Sequence, residues 1–185
     1  MKNLRFSRLF AAMMFVACLV LVGCKQPDTI SNYKVNIVGT WVSDFGEKYI
    51  VTATSVDSSG EGYISYAGDN LVVVMDSETA GRLFIKYTRS YEKITTAPTG
   101  DDVNTWTYSP ANPDWGSEEY WYRYSTTAPD VGKWYAILYK DLTDNSVKLS
   151  GAAGAKSSCD TLEEAIEEFT VENGYFVYDS TCIKK

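Results

Sequence analysis

Histidine is missing from all 185 residues, and that absence removes a large share of familiar chemistry. A Ser-His-Asp or Cys-His relay needs an imidazole to move its proton, and a His-ligated metal centre needs the ring nitrogens. No Gly-x-x-x-x-Gly-Lys-Ser/Thr segment offers a phosphate loop, and no Asp-x-Asp-x-Asp-Gly run offers a calcium loop. Neighbouring acids do occur at Asp101-Asp102 and Glu118-Glu119. Glycoside cleavage, however, needs two carboxyl groups about 5 to 10 Å apart across a cleft, and adjacency in the chain does not supply that. These pairs read as solvated surface. The sequence therefore implies no enzyme, no cofactor and no metal.

Long apolar runs are also lacking. The longest, Leu9 to Val22, is short of the roughly 20 residues that cross a bilayer as a helix. It follows a start that carries Lys2, Arg5 and Arg8 with no acid, and it ends at Leu21-Val22-Gly23-Cys24. A basic beginning, an apolar middle and a small residue at the cut are the pattern of a secretory signal. The last four residues resemble the bacterial lipobox. The resemblance implies cleavage before Cys24, a diacylglycerol on its thiol and acylation of the new amino group. Each buried methylene contributes about 0.8 kcal/mol, so two or three chains hold a protein on a membrane where one does not. The expected division is thus a signal peptide over 1–23, a lipid anchor and tether over 24–36, and a single domain over 37–185. The expected location is the cell envelope, with the membrane as partner through Cys24.

Positive charge is scarce. The whole chain has 17 Lys and Arg against 24 Asp and Glu; without the three basic residues before Cys24 this becomes 14 against 24, a net charge of −10. Such a surface repels nucleic acid, whose phosphates demand basic contacts. It keeps an exported domain soluble.

What the chain has in quantity is aromatic residues: 14 Tyr, 7 Phe and 5 Trp. With the β-branched residues they favour strands. Apolar stretches alternate with turn signals. Ile37 to Val42, Lys48 to Val56, Tyr63 to Tyr66, Leu71 to Met75, Arg82 to Tyr91, Lys133 to Lys140 and Ser146 to Ser150 read as strands. Ser43 to Gly46, Asp57 to Gly60, Gly68 to Asn70, Ser77 to Gly81 and Asp141 to Asn145 read as the turns between them. Leu162, Ile166 and Phe169 share one side of a helix over about 161–170, with Asp160 or Thr161 as its cap, and Tyr175 to Asp179 reads as a closing strand. Cys18 leaves with the signal and Cys24 is lipidated, so Cys159 and Cys182 remain. An exported domain with two thiols is expected to pair them, stapling the helix start to the end of the last strand.

The stretch about 93–118 is different. Pro98, Gly100, Pro110, Pro113 and Gly116 break it, and Trp106 and Trp115 are its large rings. It reads as a long irregular insertion. Thr95-Thr96-Ala97-Pro98 recurs as Thr126-Thr127-Ala128-Pro129, 31 residues later, and either a local duplication or chance produces such an echo. Beyond it, Tyr120, Tyr122 and Tyr124 fall on one face of a strand, with Trp121 and Arg123 on the other.

Gly39-x-Trp41 before the first strand resembles the opening Gly-x-Trp motif of lipocalins, and a late helix before the last strand suits that plan. The resemblance implies an all-β, mainly antiparallel barrel of about eight strands, with Trp41 as a structural plug. Longer phrases resemble lipocalin-like lipoproteins of treponemes: Val38-Gly39-Thr40-Trp41, Tyr66-Ala67-Gly68-Asp69-Asn70, Phe84-Ile85-Lys86-Tyr87-Thr88, Thr127-Ala128-Pro129-Asp130-Val131-Gly132-Lys133-Trp134-Tyr135 and Thr161-Leu162-Glu163-Glu164-Ala165.

Two functions stay open at this level. One is a lipid-anchored barrel that binds a small apolar or sugar-like ligand, or a protein partner, at its mouth. Aromatic lining suits such ligands, and the candidate residues are Trp106, Trp115, Trp121, Tyr122 and Trp134. The other is a structural or host-facing surface lipoprotein with no barrel ligand.

Overall fold

The computed structural model describes residues 37–185. The expectations for the signal peptide, the lipidated Cys24 and the tether fall outside the described residues.

Eight antiparallel strands close into a barrel. They are β1 (Gly39–Ser43), β2 (Lys48–Val51), β3 (Val56–Gly60), β4 (Tyr63–Met75), β5 (Gly81–Ile94), β8 (Trp134–Lys140), β9 (Ser146–Gly151) and β10 (Ser180–Lys184). Their order is β4-β3-β2-β1-β10-β9-β8-β5, and pairing of β4 with β5 shuts the ring. Two more strands, β6 (Thr107–Ser109) and β7 (Tyr120–Ser125), lie outside the ring. Along the strands, burial alternates as a one-sided core requires: in β2, Tyr49 and Val51 are buried while Lys48 and Ile50 are exposed.

The centre of the barrel is filled with side chains. Trp41 is wholly buried; its indole Nε1 donates to the Ile37 carbonyl at 2.7 Å, and the Lys184 ammonium of the last strand lies 5.1 Å from its ring centre. Tyr66 of β4, Tyr87 of β5 and Tyr135 of β8 meet in one cluster, with ring centres 4.9 to 6.2 Å apart. Strands β4 and β8 flank β5, so their rings can converge in this way on the concave side of the sheet. The close approach of Gly81 to the Val74 carbonyl and the Tyr139 hydroxyl leaves no room for a Cβ there.

Several local expectations are corrected by the structure. Gly68-Asp69-Asn70 is no hairpin loop. It sits within the 13-residue β4, where register shifts between Ala67 and Gly68 and between Asp69 and Val72, with Asn70 at φ 54°, bend one strand round the barrel. Asp57 to Gly60 forms β3 instead of a turn, because the buried Ser58 finds a partner in the Glu47 carboxylate at 3.0 Å. The chain reverses instead at Thr52 to Ser55, where the Thr52 hydroxyl accepts from the Ser55 amide at 2.9 Å. Tyr175 to Asp179 is not a strand; β10 begins after it, at Ser180.

The expected Cys159–Cys182 disulfide is not formed: both thiols are free and buried. Cys159 bridges Trp134 at the start of β8, whereas Cys182 pairs with Val147 of β9, beside the far end of β8. Seven residues of β8 separate those two levels, about 23 Å at 3.3 Å per residue. A disulfide needs Cα atoms within about 7 Å. Spacing along the chain carried no information about this distance.

The single α-helix among the described residues, α1 (Leu162–Glu168), is capped by Thr161, whose hydroxyl accepts from the Glu164 amide at 3.1 Å. Ala165 and the following Phe169 are buried, and the helix packs against β8 and β5. Its acidic final turn is offset from outside. Arg82 of β5 donates to the Ile166 and Phe169 carbonyls at 2.9 and 3.0 Å, and Lys156 pairs with Glu164 at 2.7 Å and Glu168 at 3.5 Å.

Candidate functional site

The 14-residue β5 is longer than the barrel needs, and the candidate site follows from that excess. Its first half, Gly81 to Lys86, pairs with β8, and its pairing with β4 ends at Arg89 opposite Ala67. From Ser90 to Ile94 it pairs with β7 instead, and β6 adds to the far side of β7. Past Arg89, then, β4 turns away into the β3–β4 hairpin while β5 carries a three-stranded ribbon. Between hairpin and ribbon opens a groove of about 1150 Å³. The hairpin contributes Gly60, Gly62, Tyr63 and Ile64; the ribbon side contributes Thr105, Thr107 and Tyr122 to Thr126; Arg89 lies where the two part.

The ribbon has two faces. On one, Tyr91 stacks on Tyr122 at 5.9 Å and meets Tyr124 edge-on at 5.6 Å, Tyr120 touches Tyr122 at 6.0 Å, and the Lys93 ammonium lies 5.7 Å from the Tyr120 ring centre. On the other, Arg123 donates to Glu92 at 2.6 Å, Asp102 at 3.1 Å and Thr105 at 2.9 Å, with its guanidinium 4.2 Å from the Trp106 ring centre. Trp121 packs on Tyr108 at 5.1 Å on that same face. The insertion is thus less irregular than its prolines suggest. A strand, two short 3-10 turns and one arginine with three oxygen partners give it shape.

Tyr63 is the groove's most accessible ring, 54 % exposed. It lies against Gly60, where a Cβ would collide with the ring. The hydroxyl end of the ring is therefore braced at Gly60, and much of the side chain is open to the groove. Arg89 is held by the Ser65 and Ser58 carbonyls and by Asp57 at 3.2 Å. The charges of both groove arginines are offset by carboxylates, and no acid lines the groove itself.

Two tyrosine hydroxyls hold their protons more tightly than usual. Tyr63 is raised above its ordinary value of 10, chiefly by burial, and Tyr91 well above it by burial and then by Tyr120. At neutral pH these groups donate and accept hydrogen bonds but do not act as bases. Among the described residues, no three His, Cys, Asp or Glu side chains gather in a way that could hold a metal ion.

Of the residues singled out from the sequence, Tyr122 lines the groove. Trp106 and Trp121 share the Arg123 face of the ribbon but are not part of the groove lining. Trp115 closes the short 3-10 turn Pro113–Trp115 that Asn112 caps. Trp134 opens β8 between Lys86 and Cys159 and is not part of the groove lining. Tyr63, Arg89 and Thr107 went unnoticed in the sequence. The Gly60-x-Gly62-Tyr63 run, glycines around one aromatic at a hairpin tip, was the signal for the first. No protein-family model, curated protein or solved structure matches this chain.

Proposed function

We propose that this chain is a lipid-anchored, lipocalin-like lipoprotein of the bacterial cell envelope, of the treponeme type, and that it binds a small ligand in the groove between the β3–β4 hairpin and the ribbon. The groove carries this reading: it is a sizeable concavity that gathers aromatic faces, hydroxyls and two tethered guanidiniums on a rigid barrel. The lipobox at Leu21 to Cys24 supports the anchor.

Two experiments test the two halves. Labelling cells with a fatty acid should mark the wild-type chain and leave Cys24→Ala unlabelled; equal label in both defeats the anchor. Ligand-observed NMR against a library of small soluble compounds should find binders lost in a Tyr122→Ala, Tyr124→Ala double variant; binders that all survive it would place binding elsewhere.

One observation favours a second reading, a surface that contacts another protein. Tyr108 is 49 % exposed on the ribbon's far face, beside Trp121. Exposed aromatics of this kind are common in contact surfaces.

A further inference from the structure

Resting on the groove reading above, we infer that its occupant is a neutral carbohydrate chain, held with a sugar ring stacked on Tyr63. Three features of the groove point the same way. The first is its openness. An apolar small molecule gains affinity by leaving water, and binding sites for such molecules cover some 70 to 90 % of the ligand. A groove bounded by a hairpin and a ribbon, open between them, leaves one side of any occupant wet. A sugar chain loses nothing by that, because its outward hydroxyls stay hydrated while one ring face meets an aromatic platform.

The second is charge. Arg89 is offset by Asp57, and Arg123 by Glu92 and Asp102. An anionic ligand would compete with carboxylates already in place, on a chain whose net charge is −7. The arginines therefore serve as fixed hydrogen-bond donors without net attraction for anions. The guanidinium Nη1 of Arg89 has no hydrogen-bond partner among the described residues, whereas its Nε and Nη2 are engaged. It is a donor free to meet a hydroxyl. Thr107 and Thr126 add hydroxyls to the groove lining, while those of Thr105 and Ser125 hold Asp102, Arg123 and Glu92 in the ribbon.

The third is preorganisation. The hydroxyl end of Tyr63 is braced against Gly60, so the ring is positioned before the ligand arrives. The backbone of Gly60 lies outside the left-handed region, so alanine fits its conformation while the new methyl displaces the ring. The volume, about 1150 Å³, exceeds the usual small-molecule range of about 300 to 1,000 Å³ and suits several linked rings.

The test uses the full chain on an array of linear glycans, neutral and acidic, with oleate as an apolar comparator measured by titration. The expected result is binding to a neutral glycan of three or more rings, weakened about tenfold or more by Tyr63→Ala and by Gly60→Ala, with Tyr63→Phe close to wild type and melting temperatures unchanged. Tenfold weakening by Gly60→Ala is informative because it leaves the tyrosine in place. Absence of binding to every neutral glycan overturns the inference, as do preference for acidic glycans and glycan binding that Tyr63→Ala does not touch. Oleate binding that depends on Tyr63 and Tyr122, without glycan binding, overturns the carbohydrate assignment and leaves the groove reading standing. If Tyr63→Ala and Tyr122→Ala alter the binding of neither probe, both fall.

Discussion

Replacing Trp41 with alanine removes the largest fully buried side chain of the barrel. Truncating a buried Trp or Phe to Ala costs about 3 to 5 kcal/mol through lost burial and the cavity that remains. The indole also donates to the Ile37 carbonyl, and an orphaned buried acceptor costs about 1 to 3 kcal/mol more. The Lys184 ammonium over the ring adds about 0.5 to 1 kcal/mol. These terms overlap, since water entering the cavity can satisfy the carbonyl, so the expected loss is about 4 kcal/mol. For a domain of this size that lowers the melting temperature by about 8 to 16 °C. Trp41→Phe keeps a ring but not the donor, and should cost about 1 to 2 kcal/mol. Denaturant and thermal unfolding followed by circular dichroism measure both. A loss below about 1 kcal/mol for Trp41→Ala would mean that the tryptophan does not plug the barrel.

Three further outcomes follow from the same structure. Burial pushes Tyr139 and the Cys182 thiol up to about 12, from ordinary values of 10 and 9, and raises Tyr66 and Tyr87 well above theirs. The folded state then holds protons that the unfolded chain releases, so this stability is complete below pH 9 and is lost as the pH climbs toward 12; tyrosinate absorbance should rise together with loss of circular dichroism, and complete titration near pH 10 in a folded protein would refute it. Cys159 and Cys182 should resist a bulky maleimide in the native protein and both react after unfolding without reductant, while a joined peptide in unreduced digests would contradict the free thiols. Deleting residues 95–125, which joins Ile94 to Thr126, should leave a cooperative barrel that has lost groove binding; a chain that no longer folds would show the ribbon to be part of the core.

The strands were legible in the sequence because they obey a period of two around turn residues, and their closure into a barrel was implied by the resemblance of Gly39-x-Trp41 to the lipocalin opening motif. Tyr49 and Val51 of β2 show the alternation directly. The helix was legible from the spacing of Leu162, Ile166 and Phe169, and of its two candidate caps, Asp160 and Thr161, the structure uses Thr161. Failures occurred where a tertiary partner outweighed local propensity. Ser58 lies in a strand because Glu47 reaches it, and Gly68 to Asn70 continue a strand because two bulges absorb the bend. The groove was half legible. The tyrosine face of β7 follows from alternation alone, but its opposing wall comes from a hairpin about sixty residues earlier, and nothing local links Tyr63 to Tyr122.

The placement of the aromatics explains why the groove, and not the barrel interior, is the candidate site. Inside the ring, Trp41, Tyr87, Tyr135 and Tyr139 belong to one buried core and Tyr66 packs against it, so their rings are committed to stability. A second set is added where β5 outruns β4 and β8 and accepts β7 as a new neighbour. Both Thr-Thr-Ala-Pro segments begin immediately after a strand end, at Ile94 and at Ser125, so the echo brackets the ribbon. Removing the ribbon would leave the eight-strand order and the β4–β5 closure as they are. The ribbon is thus an addition to a barrel that closes without it. Because the ring's stability rests on other residues, the wall that faces Tyr63 is free to vary without opening the barrel.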